Sequence, residues 1–426
     1  PSELVITVNP SPISRMIAAS KYLTEYPYGC IEQTINKFLP NVALKRLLQQ
    51  KGVPSALADE KLEDTMAEGI ARIQNSQNDD GSCNEFITAY VLFALDMARR
   101  MGYRVDMGGA RRGADAAGRM LRDDRYYGGD AKACLLYSLS LWGTWNDTAF
   151  MKLCREKNIN AYMCAYLIRA AASARRNANL TIAERNNIAA QLTTLTAALK
   201  SMLKKDARGM YWESVGSQSW GWQGNATEIT AHALSALLES GDTSTLPSQI
   251  VSSLSRRGRG DAWGSTKETA SVMIALCKYL EAAGGAVRET GNIAFSLNGN
   301  DVGTIEFDGG SPDSLMRVIP LDGAPSASSY AIDARGTASP DVSFSVTLRG
   351  HLYFRDSGFL SFISSQDRSI QELENGVALH RGFSSVLRVR DINNSEYLVP
   401  QALPDTTRLK VGDEILVTVK FKAQDN

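Results

Sequence analysis

Cys30 and Gln33 stand three positions apart in the run Gly29-Cys30-Ile31-Glu32-Gln33, and these two side chains can react with each other. Attack of the Cys30 sulfur on the Gln33 side-chain carbonyl, with loss of ammonia, closes an internal thioester. The product is an activated acyl group stored inside the fold. An amine or hydroxyl from outside would attack the Gln33 acyl carbon, and Cys30 would leave as thiolate. The target would then be joined to residue 33 by an amide or an ester. Such a site acts once, as a covalent trap, and shows no turnover.

The bond makes demands on its surroundings. Tyr26-Pro27-Tyr28-Gly29 reads as a strand-to-helix corner: Pro27 fixes one dihedral, and Gly29 lets the backbone approach closely. Ile31 through Leu39 continue as an apolar-periodic helix. Cys30 is therefore expected at a helix N-terminus, where the dipole favours a thiolate leaving group. Water must be kept out until the site is triggered, because a thioester in solvent hydrolyses. Tyr22, Tyr26 and Tyr28 are the expected covers, with Trp212, Trp220 and Trp222 as a second aromatic group. Glu32 stands where an acid could orient the reactants or shuttle a proton, and where one could equally be a solvated helix-end charge.

Around this pair lies a chain of 426 residues, more than one ordinary domain holds. Its 44% hydrophobic and 22% charged residues are those of a soluble globular protein. Lysine plus arginine equal aspartate plus glutamate at 46 each, which argues against a general nucleic-acid or anionic-membrane binder. No apolar run reaches the ~18 residues that span a bilayer. The opening Pro1-Ser2-Glu3 suggests a fragment or processed product. Among the six cysteines there is no Cys-x-x-Cys pair and no zinc-like cluster with histidine, so neither metal nor cofactor is expected. Cys134, Cys164 and Cys277 sit in apolar helical stretches and read as small buried hydrophobes.

The pattern changes near residue 285, at Ala282-Ala283-Gly284-Gly285. Before it helical periodicity dominates, with about a dozen helices expected between residues 11 and 283. Thr181 and Glu184 form a capping-box pair, followed by Ile188, Leu192, Leu195, Leu199 and Leu203 on one face. Ser265 with Glu268 repeats the device; Asn225 with Glu228 and Ser82 with Glu85 look like two further helix starts. Thr88-Ala89, Thr230-Ala231 and Thr269-Ala270 lie in weakly repeated helices, and Gly- and Trp-containing turns punctuate the series. Helical hairpins that cannot bury an apolar face alone must stack. A closed α/α toroid satisfies this, with a superhelical solenoid as the alternative.

Beyond the boundary, alternation takes over. Ile293, Phe295 and Leu297 lead to the hairpin turn Asn298-Gly299-Asn300 and then to Val302, Ile305 and Phe307. Val342, Phe344, Val346 and Leu348 alternate again, as do Leu409 with Val411 and Ile415 through Phe421. This is β-sandwich material. The expected division is a lead-in strand over 1–9 belonging to the β module and a toroid over 10–285. A sandwich module over 286–375 and the start of a further β domain over 376–426 complete it. The fold class is thus multi-domain α and β, an α/α toroid of helical hairpins followed by antiparallel β-sandwich modules.

Tyr28-Gly29-Cys30-Ile31-Glu32-Gln33-Thr34 resembles the thioester segment of the α2-macroglobulin family, and Tyr26-Pro27 with an apolar residue after the cysteine resembles its bacterial members. Complement thioester proteins, more distantly similar, usually carry glycine where Ile31 stands. Gln74 to Ser82, Thr88-Ala89-Tyr90, Glu228-Ile229-Thr230-Ala231 and Trp263-Gly264-Ser265-Thr266 resemble further segments of the same domain. The β region resembles the domains that follow it, through Leu409-Lys410-Val411-Gly412-Asp413.

The resemblance implies an α/α toroid, an endopeptidase inhibitor rather than an enzyme, and a larger parent with upstream macroglobulin domains. It implies target proteases as covalent partners and cell-wall synthesis proteins as further ones, in the periplasm or cell envelope, with an anchor in the parent's N-terminus. One departure matters. Some relatives use a downstream histidine to favour hydroxyl targets, but this chain has only His232, His351 and His380. Tyr126, Tyr127 and Asp130 occupy the corresponding region, so direct transfer to lysine amines is expected. His232, four residues after Glu228, reads as a satisfied core or interface histidine.

Three other readings remain. An α/α-toroid enzyme of the terpene-cyclase or prenyltransferase kind needs an acidic metal motif or a zinc site. Asp79-Asp80 and Asp123-Asp124 lack the further aspartate that a metal–diphosphate site requires. A cysteine acyl-transfer enzyme needs a histidine base, and none lies near Cys30 in sequence. An interaction module with a vestigial thioester fits the same residues.

Overall fold

The computed structural model describes residues 3–25, 30–52, 59–124, 128–176, 179–213, 225–258, 262–283, 290–308, 314–321, 332–337, 342–349, 377–390, 396–402 and 415–423. Chain contacts divide it into two units, residues 1–349 and 350–426.

Twelve helices are described in the first unit. In chain order they are α1 (Pro12–Glu25), α2 (Ile31–Gln50), α3 (Asp59–Asn75), α4 (Glu85–Arg100), α5 (Met107–Arg122), α6 (Gly129–Leu141), α7 (Asp147–Cys154), α8 (Ala161–Ala174), α9 (Ile182–Ser201), α10 (Ala226–Ser240), α11 (Leu246–Arg257) and α12 (Thr266–Ala283). The even-numbered helices pack in sequence, α2 on α4, α4 on α6, α6 on α8, α8 on α10 and α10 on α12. Helix α12 then packs on α2, which closes a ring of six. The odd-numbered helices lie outside, against their even-numbered neighbours.

Burial follows from this two-layer plan. An inner helix has protein on all sides, and α8 is buried at nearly every position. An outer helix needs only one apolar stripe. In α9 the buried residues are Ile188, Leu192, Leu195 and Leu199, four of the five expected in the stripe; the fifth, Leu203, lies past the helix end and is half-buried. Both anticipated capping boxes form. The Glu184 N–H donates to Thr181 Oγ1 at 3.2 Å while Glu184 Oε2 accepts from the Thr181 N–H at 2.7 Å. Ser265 and Glu268 exchange the same two bonds at 3.2 and 3.1 Å. The start expected at Ser82 lies two residues later: Asn84 Oδ1 accepts from the Ile87 N–H and caps α4, while Ser82 bonds Asp80. Asparagine is one of the strongest N-cap residues, which accounts for the shift.

The weak helical repeats have a structural meaning. Thr88, Thr230 and Thr269 are buried, and each hydroxyl oxygen accepts the backbone N–H of a residue in the preceding connection. The donors are Cys83 at 2.9 Å, Trp212 at 3.1 Å and Trp263 at 3.0 Å. The two tryptophans extend the joint. Their indole N–H groups donate to Leu199 O and Leu254 O, both at 2.7 Å, satisfying carbonyls at the C-terminal ends of α9 and α11. Each such joint ties the end of an outer helix to the next inner one.

Strand β1 (Glu3–Asn9) lies between β6 (Leu315–Pro320) and β8 (Ser343–Arg349), antiparallel to both, with Val5 opposite Val318 and Ile6 opposite Val346. A short hairpin, β2 (Lys204–Asp206) with β3 (Gly209–Tyr211), follows α9. A second three-stranded sheet has the order β5 (Asn300–Asp308), β4 (Thr290–Leu297), β7 (Ile332–Thr337). Its β4–β5 turn is Asn298-Gly299, both at positive φ (50° and 80°), the two-residue turn that matches strand twist. Leu4, Ile6 and Val8 share one apolar cluster with Ile293, Phe295, Ile305 and Phe307. In the second unit β9 (Val377–Arg390) lies between β10 (Glu396–Ala402) and β11 (Ile415–Ala423), again antiparallel. The alternation expected at Leu409 and Val411 lies outside the described residues.

Candidate functional site

Cys30 and Gln33 begin helix α2, and they begin it by capping it. Cys30 is the N-cap, in the extended conformation at φ −68° and ψ 169°. The Gln33 N–H donates to Cys30 Sγ at 3.4 Å, and Gln33 Oε1 accepts from the Cys30 N–H at 3.1 Å. This is a capping box with cysteine in the place of serine or threonine. The spacing that a thioester needs is the spacing of that box. Both side chains fold over the same first turn, and the carboxamide is brought back toward the residue that carries the sulfur. Thr34 strengthens the turn, its N–H and hydroxyl both donating to Cys30 O, at 2.8 and 2.9 Å.

Cys30 is exposed, contrary to the dry enclosure expected for it. Two of the expected covers are engaged elsewhere. Trp212 is fully buried in the joint between α9 and α10, and Tyr22 packs against the main core of the ring. Tyr26, Tyr28 and Gly29 lie outside the described residues, as do Tyr126, Tyr127, Trp220 and Trp222.

Glu32 is half-buried rather than solvated. Its Oε1 accepts from the Asn36 amide at 3.3 Å, and Asn36 in turn accepts from the Tyr90 hydroxyl of α4 and reaches Thr266 Oγ1 of α12 at 3.5 Å. Burial pushes the Glu32 carboxyl above its ordinary value. Lys267 and Asn36 pull it part of the way back, and the nearby Glu228 charge adds to the rise. Residues 32, 228 and 267 come from the first turns of α2, α10 and α12, so one mouth of the ring gathers these helix starts at the seam where α12 meets α2. The opposite mouth holds a cavity of about 470 Å³ lined by C-terminal turns, among them Arg46, Arg100, Glu239 and Lys278.

A buried chain of charges connects the two mouths. Lys267 Nζ lies 2.9 Å from Glu228 Oε1, and His232 Nε2 lies 3.5 Å from the same oxygen. His232 Nδ1 is 3.2 Å from Arg169 Nη1; arginine only donates, so Nδ1 accepts and the ring proton sits on Nε2. Arg169 also donates to Tyr137 at 2.7 Å and to Glu239 at 3.4 Å, and Glu239 pairs with Lys278. Burial works against the Glu228 and Glu239 carboxylates, but Lys267 with His232, and Lys278 with Arg169, outweigh it and hold both below their ordinary values. Burial lowers His232, more strongly than Glu228 raises it. His232 is thus a satisfied core histidine, as its spacing from Glu228 suggests. The chain around Arg169 and Glu239 has one signal in the sequence, polar residues on otherwise apolar inner helices.

Cys134, Cys164 and Cys277 are buried, and burial pushes the Cys134 and Cys164 thiols up to about 12. Asp80 is held by Ser82 and Arg119, and Asp124 by Lys132 and Lys152, so both acidic pairs contain a member already neutralised by cations. Among the described residues no group of three His, Cys, Asp or Glu side chains could hold a metal ion. No helix among them is long and apolar enough to cross a membrane.

A family model for the A-macroglobulin TED domain matches residues 6–106. The α2-macroglobulin of Escherichia coli strain K12 is 33% identical over 113 residues, 24% of this chain and 7% of that protein. That of Thermotoga maritima is 28% identical over 103 residues, 22% of this chain and 6% of that protein. The matched segment therefore spans less than a tenth of either relative.

Among solved structures, native E. coli α2-macroglobulin from domain MG7 to the C-terminus aligns with a TM-score of 0.56 at 17% identity, over 100% of this chain and 60% of that one. Salmonella α2-macroglobulin reacted with methylamine aligns with a TM-score of 0.57 at 18% identity, over 99% and 25%. At these identities the structures speak to fold alone. The family model, at the N-terminal part of the chain, and the relatives agree on an α2-macroglobulin match, and the solved structures share its fold.

Proposed function

We propose that this chain is the thioester-bearing part of a bacterial-type α2-macroglobulin, and that Cys30 and Gln33 form the bond. The observation that carries the reading is their reciprocal capping box, which holds sulfur-bearing and carboxamide-bearing residues against one another at a helix start. Closing the bond replaces the thiol S–H and the amide C–N by S–C, and releases ammonia. An amine then attacks the acyl carbon, C–N forms, C–S breaks, and Cys30 returns as thiol. The parent is read as a protease trap of the periplasm or cell envelope, consumed by each capture. Lysine amines of the attacking protease are its acceptors, and upstream macroglobulin domains are its partners in the parent.

The helical ring over 10–285 is read as the toroid of that domain. Residues 1–9 and 286–375 are read as a β-sandwich module, and 376–426 as the start of another. The exposure of Cys30 fits a piece separated from domains that would keep it dry, since a thioester in open water hydrolyses. It equally favours a second reading, an interaction module whose thioester no longer persists.

The experiment is capture. The longer parent protein is mixed with an active protease and analysed on a denaturing, reducing gel and by peptide mapping. An adduct linking residue 33 to a protease lysine, absent in Cys30→Ala, supports the trap. Protease inhibition without any covalent adduct, or adducts unaffected by Cys30→Ala, would overturn it.

A further inference from the structure

The mouth of the ring opposite Cys30 holds the cavity of about 470 Å³, a size typical of small-molecule pockets. All six inner helices reach it with their C-terminal halves or the residue just beyond. Its walls are apolar. Phe93, Met97, Leu141 and Leu238 line it, and all four stay half-buried although they sit on inner helices. Its charges do not balance. Asp96 is held by two guanidinium groups, Arg99 at 2.8 Å and Arg100 at 2.6 Å, and Glu239 by Arg169 at 3.4 Å and by Lys278. Glu281 reaches Arg46 at 4.0 Å. The exposed Arg176 makes no side-chain hydrogen bond or ion pair among the described residues, yet its charge reaches Glu239 and Lys278. Asp96, Glu239 and Glu281 thus each have one cation of their own, and Arg100, Lys278 and Arg176 are left over. The helix C-termini that end here carry partial negative charge and offset part of this excess. The crowding shows at Lys278, which burial, and the charges of Arg169 and Arg176 beside it, hold below its ordinary value in spite of Glu239.

We propose that this cavity binds an amphipathic anion, an apolar chain ended by a carboxylate or phosphate head. The chain lies among Phe93, Met97, Leu141 and Leu238, and the head is held by Arg100 and Arg176. A guanidinium suits either head because it offers two parallel N–H donors to two oxygens. A ligand without a head would leave these cations unmatched, and a head without a chain would leave the walls wet. The site lies at the other mouth from Cys30 and Gln33 and does not depend on the thioester reading.

The test is isothermal titration of the whole chain with decanoate below its micelle concentration. One decanoate per chain is expected to bind, with acetate and decanol at least about tenfold weaker and decyltrimethylammonium not binding. Arg100→Gln and Arg176→Gln change exposed side chains and leave Asp96 its bond to Arg99. Each is expected to weaken decanoate about tenfold while the chain still unfolds cooperatively. No binding of decanoate, or equal binding of decanol, overturns the proposal without any variant. So does decanoate binding that both variants leave unchanged, which would place the ligand elsewhere. Decyl phosphate binding more tightly than decanoate supports a lipid phosphate as the occupant, and the reverse order supports a free fatty carboxylate.

Discussion

Gln33 and Cys30 hold each other: the Gln33 amide N–H donates to the Cys30 sulfur at 3.4 Å, and the Gln33 side-chain oxygen accepts from the Cys30 N–H at 3.1 Å. The same two contacts start a helix and bring the reactive residues together. Structural and chemical roles can therefore be separated by substitution. Cys30→Ser keeps the box with a better acceptor, whereas Cys30→Ala removes its side-chain acceptor at a cost of about 1 kcal/mol. Urea unfolding is expected to rank serine above alanine, and neither protein should lose ammonia. Equal stability of the two would show that the sulfur side of the box contributes nothing to the fold.

The threonine joints make a second prediction. Thr230→Val and Thr269→Val keep the shape but leave the buried N–H of Trp212 or Trp263 without its acceptor. Each is expected to cost roughly 1–3 kcal/mol. Thr193→Val on the exposed face of α9 should change stability by less than about 0.5 kcal/mol. Thermal unfolding of the three variants checks this, and a Thr269→Val protein as stable as Thr193→Val would contradict the role given to the joint.

Arg169 is the hub of the buried charge chain, touching His232, Tyr137 and Glu239 at once. Arg169→Met leaves Glu239 with Lys278 and the charge of Arg176, and should lower stability by about 3–5 kcal/mol. Adding Glu239→Gln removes the stranded charge and is expected to recover part of that loss. A double variant whose loss equals the sum of the two single ones would mean that the pair is not coupled.

These groups also set how stability depends on pH. His232 is held below its ordinary 6.5, so the unfolded chain binds more protons there, and its contribution is lost as pH falls below 6.5. Glu228 and Glu239 are held below 4.5, and their contributions are full above that value and disappear as pH falls through the folded pKa values. Glu32, raised above 4.5, acts in the opposite sense: it favours the folded state at low pH and loses that effect as pH rises through its folded value. A melting-temperature profile should decline from pH 7 toward 5 in the wild type. In His232→Gln that early decline should be absent, leaving only the carboxylate step. An unchanged early decline would remove His232 from the account.

Much of this could be read from the chain. The stripe Ile188, Leu192, Leu195, Leu199 and the boxes at Thr181 and Ser265 follow from local rules that tertiary structure did not overrule. The Asn298-Gly299 turn is equally local. Where the reading missed, a stronger local competitor or a distant contact decided. Asn84 displaced Ser82 as a cap. Trp212, expected over Cys30, instead donates its indole N–H to the carbonyl of Leu199 in a joint between helices. At the site, the Cys-x-x-Gln spacing carries both the reactive pair and a capping box, and the box is hidden in the sequence only because cysteine is rarely a cap. The surroundings of Glu32 were not legible: Asn36, Tyr90, Glu228 and Lys267 come together only once α12 closes the ring on α2.

The most direct measurement is the intact mass of freshly prepared protein before and after methylamine. The account predicts a mass one ammonia below that of the sequence, rising by one methylamine on reaction. The deficit should be absent from both Cys30→Ala and Gln33→Ala. Fresh native protein at full sequence mass, with Cys30 freely alkylated and no methylamine taken up, would contradict it.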